Sequence, residues 1–234
     1  MNLPPEIIIG IDEVGRGCVF GPLAVCGVAN PLGWTDPRVR DSKEIKSEKR
    51  KNDICAAVCK NTLWSLAVAH NTTIEEYGIT AALTQAMIKV LDDLVTRVGK
   101  AIQGTATRIR IIGDGNDMYP IIARYECVVA GGGLVSVQFL PKADSNFFEV
   151  SAASIVAKAS RDLWCHDIVK ANPTLAVYGI DDCKGYASSQ HTHALVQHGL
   201  TAWHRKSFCN TLLANHANKT AAARAAAQGE TSHV

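Results

Sequence analysis

Residues 6–17 read EIIIGIDEVGRG. Over 6–12 the run is apolar without alternation until it closes on Asp12, which is the pattern of a strand buried on both faces. Charge then arrives abruptly as Asp12 and Glu13, and Gly15-Arg16-Gly17 makes a turn. A second apolar stretch, Cys18 to Ala29, follows at once and is expected to return as an antiparallel hairpin partner.

Working outward, Ser47 is placed to N-cap a helix that carries Ile54, Cys55, Val58 and Cys59 inward. Leu63 to Ala69 reads as a further strand. Thr72 and Thr73 each have a Glu three residues later, as in a capping box, so one long helix is expected from about Thr73. Its apolar positions Ile79, Leu83, Met87, Val90, Leu91, Leu94 and Val98 recur at helical spacing, and Gly99 is expected to close it. The stretches 108–112 (RIRII) and 134–140 (LVSVQFL) read as strands, each running into a short polar segment that contains an aspartate. A helix is expected over about 147–170, where Ala152, Ala153, Ala157 and Ala159 permit close packing. The chain then reads as helical and loop-rich up to Phe208, followed by an Ala- and Asn-rich tail over 209–234, expected to be partly mobile. Strands and helices in this order describe an α/β domain with a mixed sheet, since the early hairpin is antiparallel.

The bulk properties set bounds. With 234 residues, one large domain with a sizeable core is expected. The eight cysteines contain no C-x-x-C pair, which argues against structural zinc and a secreted disulfide framework and for buried thiols in a reducing cytoplasm. The apolar run of the opening MNLPPEIIIGIDEV is broken by Gly10 and Asp12, so it suits neither a signal peptide nor a membrane span. A net charge of +2 gives little overall field. Locally, however, Arg38, Arg40, Lys43, Lys46, Lys49, Arg50 and Lys51 outnumber Asp41, Glu44 and Glu48. A solvated helix face is the ordinary reading of such a run.

Three of the expected strands lead into acids: Ile11-Asp12-Glu13, Gly113-Asp114-Gly115 and Lys142-Ala143-Asp144. Strand ends of α/β sheets are where separate stretches of chain meet. Carboxylates gathered at one point repel one another, a cost that cations relieve, and oxygen ligands select Mg²⁺ or Mn²⁺ over zinc. Adjacent Asp12 and Glu13 would point to opposite faces of a regular strand, so the strand is expected to end or twist there, with Gly15 supplying the means. Each aspartate is equally readable as a turn or cap residue, and spacing alone favours that reading.

Five blocks in order resemble the ribonuclease HII family: GIDEVGRG (10–17), RDSKEIKSEKR (40–50), IIGDGN (111–116), KADSNFFEVSAASIVAKASRD (142–162) and YGIDDCKGYASSQHTHALVQHGLTAWHRKSF (178–208). The resemblance spans residues 7–208. It implies a ribonuclease H-like α/β fold with a C-terminal helical segment from about residue 172, the catalytic domain covering 1–208. It also implies an endonuclease for the RNA strand of RNA–DNA hybrids, leaving 5′-phosphate and 3′-hydroxyl ends. Carried over residue by residue, it makes Asp12, Glu13, Asp114 and Asp144 the ligands of two divalent cations, Mg²⁺ or Mn²⁺. One ion would activate a water and the other would stabilise the leaving oxygen. No side-chain nucleophile is then required.

Only the 2′-hydroxyl separates a ribonucleotide from a deoxyribonucleotide once the base is ignored, so a sensor must approach the sugar closely. Gly15 and Gly17 lack a Cβ and suit that approach, with Arg16 on a neighbouring phosphate, although a simple tight turn uses the same glycines. In Lys184-Gly185-Tyr186, the tyrosine resembles the family residue that packs on the sugar after the ribonucleotide, which would favour cutting 5′ to a single ribonucleotide in duplex DNA; a core tyrosine is the plainer reading. Ser42, Lys43 and Lys46 look like phosphate contacts. The expected partner is therefore an RNA–DNA hybrid or ribonucleotide-containing DNA, bound by a soluble monomer. Two alternatives stand beside this one: a ribonuclease HIII-like enzyme, which typically carries a Glu at the fourth acidic position and an additional N-terminal domain, and a non-catalytic hybrid-binding protein, which would have lost an acid.

Overall fold

The computed structural model describes residues 6–40, 45, 47–102, 107–115 and 135–230, with side chains as far as residue 222. Strands β1 (Glu6–Val14), β2 (Leu23–Ala29), β3 (Leu63–Ala69), β4 (Arg108–Asp114) and β5 (Val135–Leu140) form a sheet in the order β3-β2-β1-β4-β5. β1–β2 and β2–β3 pair antiparallel, while β1–β4 and β4–β5 pair parallel, so the sheet is mixed as expected. Helices α1 (Glu48–Asn61), α2 (Asn71–Tyr77) and α3 (Ile79–Ala101) come from the first half. The second half supplies α4 (Ala143–Asn146), α5 (Phe148–Ala171), a 3-10 turn (Pro173–Tyr178), α6 (Ile180–Cys183), α7 (Ser189–His198) and α8 (Lys206–Glu230).

The central strand is covered on both sides. Ile7, Ile9 and Ile11 of β1 join Leu83, Met87, Val90, Leu91, Leu94 and Val98 of α3 in one core. On the other face Cys26 and Val28 of β2 meet Ile54 and Val58 of α1 and the small residues Ala152, Ala153 and Ala157 of α5. Those alanines let a helix backbone lie close to the sheet. A third cluster, built on Val19, Phe20, Cys165, Tyr178 and Leu195, joins the end of α5 to the C-terminal helices. No helix among the described residues is long and apolar enough to cross a membrane.

Four boundaries differ from expectation. β2 begins at Leu23, because residues 18–22 pair elsewhere: the amides of Val19 and Phe20 donate to the Gly185 carbonyl at 3.0 and 3.3 Å, and that of Gly21 donates to Trp203 at 2.9 Å. The single helix expected from Thr73 is two, broken at Gly78, whose φ of 80° no helix can contain. Thr72 and Thr73 therefore lie inside α2, which His70 precedes as N-cap. α3 runs through Gly99 to Ala101, since a lone glycine lowers helix stability by only about 1 kcal/mol. Finally, the segment after Phe208 is helical through Glu230: buried Cys209, with Leu212 and Leu213 packed beside it, anchors its start, and high alanine propensity suits its continuation.

Candidate active site

Strand register assembles the acids. Ile11 of β1 lies opposite Gly113 of β4 in a parallel pair, so the next rung sets Asp12 beside Asp114. β4 in turn aligns Asp114 with Leu140 of β5. The chain then reverses at Lys142, which adopts the left-handed conformation (φ 58°), and α4 brings Asp144 back towards the strand ends. Hydrogen bonds tie this corner together. The Ala143 amide donates to Asp114 Oδ1 at 2.8 Å, the Gly115 amide to the Leu140 carbonyl at 3.1 Å, and Ser151 Oγ to the Asp144 carbonyl at 2.6 Å.

All four acids line one cavity of about 300 Å³, together with Gly15, Arg16, Gly17, Ser154, Lys158 and Tyr186. β1 continues through Val14, so of the two expected ways to turn both side chains to one place, an end or a twist of the strand, it does not take the first; Asp12 and Glu13 both line the cavity. Asp12 and Asp144 are buried. Burial pushes the Asp12 carboxyl up to about 7, with the Glu13 and Asp114 charges acting in the same direction and hydrogen bonds from Ser154 and the Glu13 amide opposing them. The pocket thus carries more negative charge than it can comfortably solvate.

The donor set consists of carboxylate oxygens, the chemistry that suits Mg²⁺ or Mn²⁺. As they stand, no three His, Cys, Asp or Glu side chains among the described residues are close enough to enclose one ion. Part of the reason is visible: Asp12 Oδ1 is turned to the Glu13 amide and Asp114 Oδ1 to the Ala143 amide. The acids share a space and repel across it.

The other expected contacts divide. Gly15, Arg16, Gly17 and Tyr186 lie at the carboxylate cavity. Lys184 does not: its ammonium pairs with Glu48 at 2.9 Å in a second cavity lined also by Lys51, Asp162 and His166. Ser42, Lys43 and Lys46 lie outside the described residues. Tyr186 is 42% exposed, so it is not a core tyrosine; burial of its hydroxyl end, with Cys18 beside it, pushes that hydroxyl up to about 12.

Ser154 and Lys158 belong to the site although the reading above does not single them out. The signal was present. In α5 the polar residues Ser151, Ser154, Lys158 and Arg161 recur every three or four positions on an otherwise Ala- and Val-rich helix, tracing one stripe along it.

The ribonuclease HII family model matches residues 9–211. The chain belongs to the ribonuclease HII family. A ribonuclease HII of Acidovorax sp. (strain JS42) is 31% identical over 206 residues, covering 88% of this chain and 86% of its own. Among solved structures, the ribonuclease HII in a PCNA complex from Archaeoglobus fulgidus shares the fold at a TM-score of 0.62 and 24% identity, over 86% of this chain and 94% of its own. Bst ribonuclease HIII in complex with Mn²⁺ matches at 0.61 and 20%, over 91% and 71%. As a ribonuclease HII family member the chain is a ribonuclease H, an endoribonuclease, on the ribonuclease H-like fold that its sequence resembles.

Proposed function

We propose that this ribonuclease cuts the RNA strand of RNA–DNA hybrids and also nicks duplex DNA 5′ to a single embedded ribonucleotide. One observation carries the reading: the four acids and the Gly15–Gly17 loop line the same cavity, with Tyr186 at its rim. Attack at a phosphate would draw on such a group of carboxylates, and reading its sugar on the loop and ring beside them.

Asp12, Glu13, Asp114 and Asp144 would hold two divalent ions, Mg²⁺ or Mn²⁺. When bound, these supply an activated water for in-line attack at phosphorus and stabilise the departing 3′ oxygen. The chain's own residues do the rest. Ser154 donates to Asp12 and orients it. Lys158, whose ammonium lies 2.8 Å from Asp162, brings positive charge to the rim for the phosphate backbone. Gly17 has no described heavy atom within 4 Å of where a Cβ would stand, so its missing side chain serves no packing within the described protein and leaves room for a sugar to approach. Tyr186 offers a ring to the following sugar, with Lys158 Nζ at 5.8 Å and Arg161 Cζ at 5.9 Å from its centroid.

The test is cleavage of a labelled duplex carrying one ribonucleotide and of a long hybrid, with Mg²⁺, with Mn²⁺ and with EDTA. Nicking of both substrates in either metal and of neither in EDTA is expected, with 5′-phosphate products. Intact substrates under every metal condition would overturn the proposal.

A further inference from the structure

Two arginines are buried as completely as the isoleucines of the core: Arg161 is 1% exposed and Arg205 0%. A charged side chain is almost never so deep without a charged partner. Neither has a carboxylate partner among the described residues; backbone carbonyls answer all three nitrogens of Arg161 but only Nε and Nη1 of Arg205, whose Nη2 is buried with no hydrogen-bond partner among the described residues. Arg161 donates from Nε to Pro22 (2.9 Å), from Nη2 to Phe20 (3.0 Å) and from Nη1 to Lys184 (2.5 Å). Arg205 donates from Nε to Gly21 and from Nη1 to Arg16, both at 3.0 Å. The acceptors are not scattered. They belong to the loop that carries Gly15-Arg16-Gly17 back to β2 and to the residue two before Tyr186.

Two glycines make room for the first of these guanidiniums. Gly15 has a φ of 88° and a Cβ there would overlap Arg161 Nε; Gly185 has a φ of 81° and a Cβ would press on Arg161 Nη2 and the Phe20 carbonyl. Gly15 and Gly185 therefore leave the space that Arg161 occupies. The loops are also joined directly, by Val19 and Phe20 donating to Gly185, and the Arg205 amide donates to the Val19 carbonyl of the first loop at 2.7 Å. A guanidinium is a rigid planar fork, so the carbonyls of Phe20, Pro22 and Lys184 that meet on Arg161 cannot shift independently without exposing a buried charge, whereas Arg205 grips the first loop alone, at Arg16 and Gly21.

We infer that Arg161 and Arg205 are positioning residues, Arg161 locking the Gly15–Gly17 loop and Tyr186 at one spacing and Arg205 fixing the shape of that loop, so that the ribonucleotide and the sugar after it are read together as a single unit. This deepens the proposed reading of the same cavity and rests on it. The arginines touch no substrate; they act through the peptides of Arg16 and Lys184.

The test has one arm that needs no activity. Native-state hydrogen exchange in rising urea follows segments 14–22 and 183–188 of the wild-type protein; a single common opening is expected, and separate openings would overturn the coupling. In the second arm Arg161→Lys and Arg205→Lys are compared with Leu91→Ala, a core variant on the far face of the sheet, each assayed well below its own melting temperature. The lysine variants should lower kcat/KM on the single-ribonucleotide duplex at least tenfold, mainly through KM. Their single-ribonucleotide to long-hybrid ratio should fall at least fivefold, while the Leu91→Ala ratio stays at the wild-type value. A ratio unchanged in both lysine variants would overturn the proposal. If the lysine variants do not fold, or the wild-type protein cuts only long hybrids, the exchange arm decides the coupling alone; in the latter case it is the single-ribonucleotide reading that fails.

Discussion

His191 Nε2 and His204 Nε2 face each other at 3.0 Å, both buried. Their neighbours determine which ring donates. The Tyr186 carbonyl can only accept, so His191 Nδ1, at 2.9 Å, carries its proton and leaves Nε2 as an acceptor. His204 Nε2 therefore donates, and its Nδ1 accepts from the Thr201 amide at 3.0 Å. The chain is satisfied only with both rings neutral. Burial, with the facing His191 adding to it, pushes His204 down to about 4, and burial lowers His191 as well.

A pH dependence follows. Unfolded histidines take up protons below about 6.5 while the folded pair resists, so the pair's contribution is complete above that pH and is lost as pH falls towards 4. For His204 the loss is on the order of 3 kcal/mol. Asp12 acts in the opposite direction, since its raised carboxyl favours the protonated fold and weakens it as pH rises towards 7. The histidine term is therefore read as a difference: urea unfolding of wild type and of His191→Gln/His204→Gln between pH 4.5 and 7.5. The gap in stability between them should narrow steadily on acidification. A constant gap would refute the neutral pair.

Asp144→Asn should bind a hybrid duplex with near wild-type affinity and cut it at least roughly a hundredfold more slowly, because a neutral amide cannot stand in for an ionic ligand. Gel shift in EDTA and single-turnover cleavage in Mn²⁺ check the two halves. Full cutting would remove Asp144 from the site.

Asp12→Asn carries a second signature. Removing a buried charge, and with it the repulsion from Glu13 and Asp114, should raise stability in EDTA by roughly 1–2 kcal/mol at pH 8 while abolishing cleavage. Thermal unfolding of both proteins measures it; a lower melting point for the variant would contradict the electrostatic account.

The glycines of the loop should separate by mechanism. Gly15→Ala places a Cβ at positive φ and against Arg161, and should destabilise the fold by about 2–4 kcal/mol. Gly17→Ala meets nothing among the described residues, so its stability should stay within about 0.5 kcal/mol of wild type while KM for the single-ribonucleotide duplex rises. Equal destabilisation by both would assign the two glycines to one ordinary turn.

Lys51 and Asp162 form a buried pair at 2.6 Å, and Lys158 reaches the other carboxylate oxygen at 2.8 Å. Burial alone would raise the Asp162 carboxyl, but the two ammonium groups outweigh it and hold it below the usual range. Asp162→Ala leaves Lys51 buried without its acid and should cost about 3–5 kcal/mol in urea unfolding.

Much of this architecture was legible in the sequence because it rests on local pattern. Leu63–Ala69 is the strand expected there, and Ser47 caps α1, its Oγ accepting from the Arg50 amide at 3.3 Å. The acids could be gathered only through an ordered resemblance, since nothing in the spacing of Asp12, Asp114 and Asp144 states that β1 and β4 are neighbours. Residues 18–22 misled because apolar composition says that a segment is buried and not against what. Arg161 and Arg205 were illegible for a deeper reason: an arginine reads as surface, and only the convergence of carbonyls from distant loops makes an interior position tolerable.

The Arg16 peptide is held by a side chain 189 residues further along. During synthesis, then, the acids of β1 and β4 emerge from the ribosome long before the arginine that grips the Arg16 and Gly21 peptides. A nascent or prematurely terminated chain lacking Arg205 carries those acids without this brace on the loop beside them. On the proposed reading, discrimination between substrates therefore waits until Arg205 has been made.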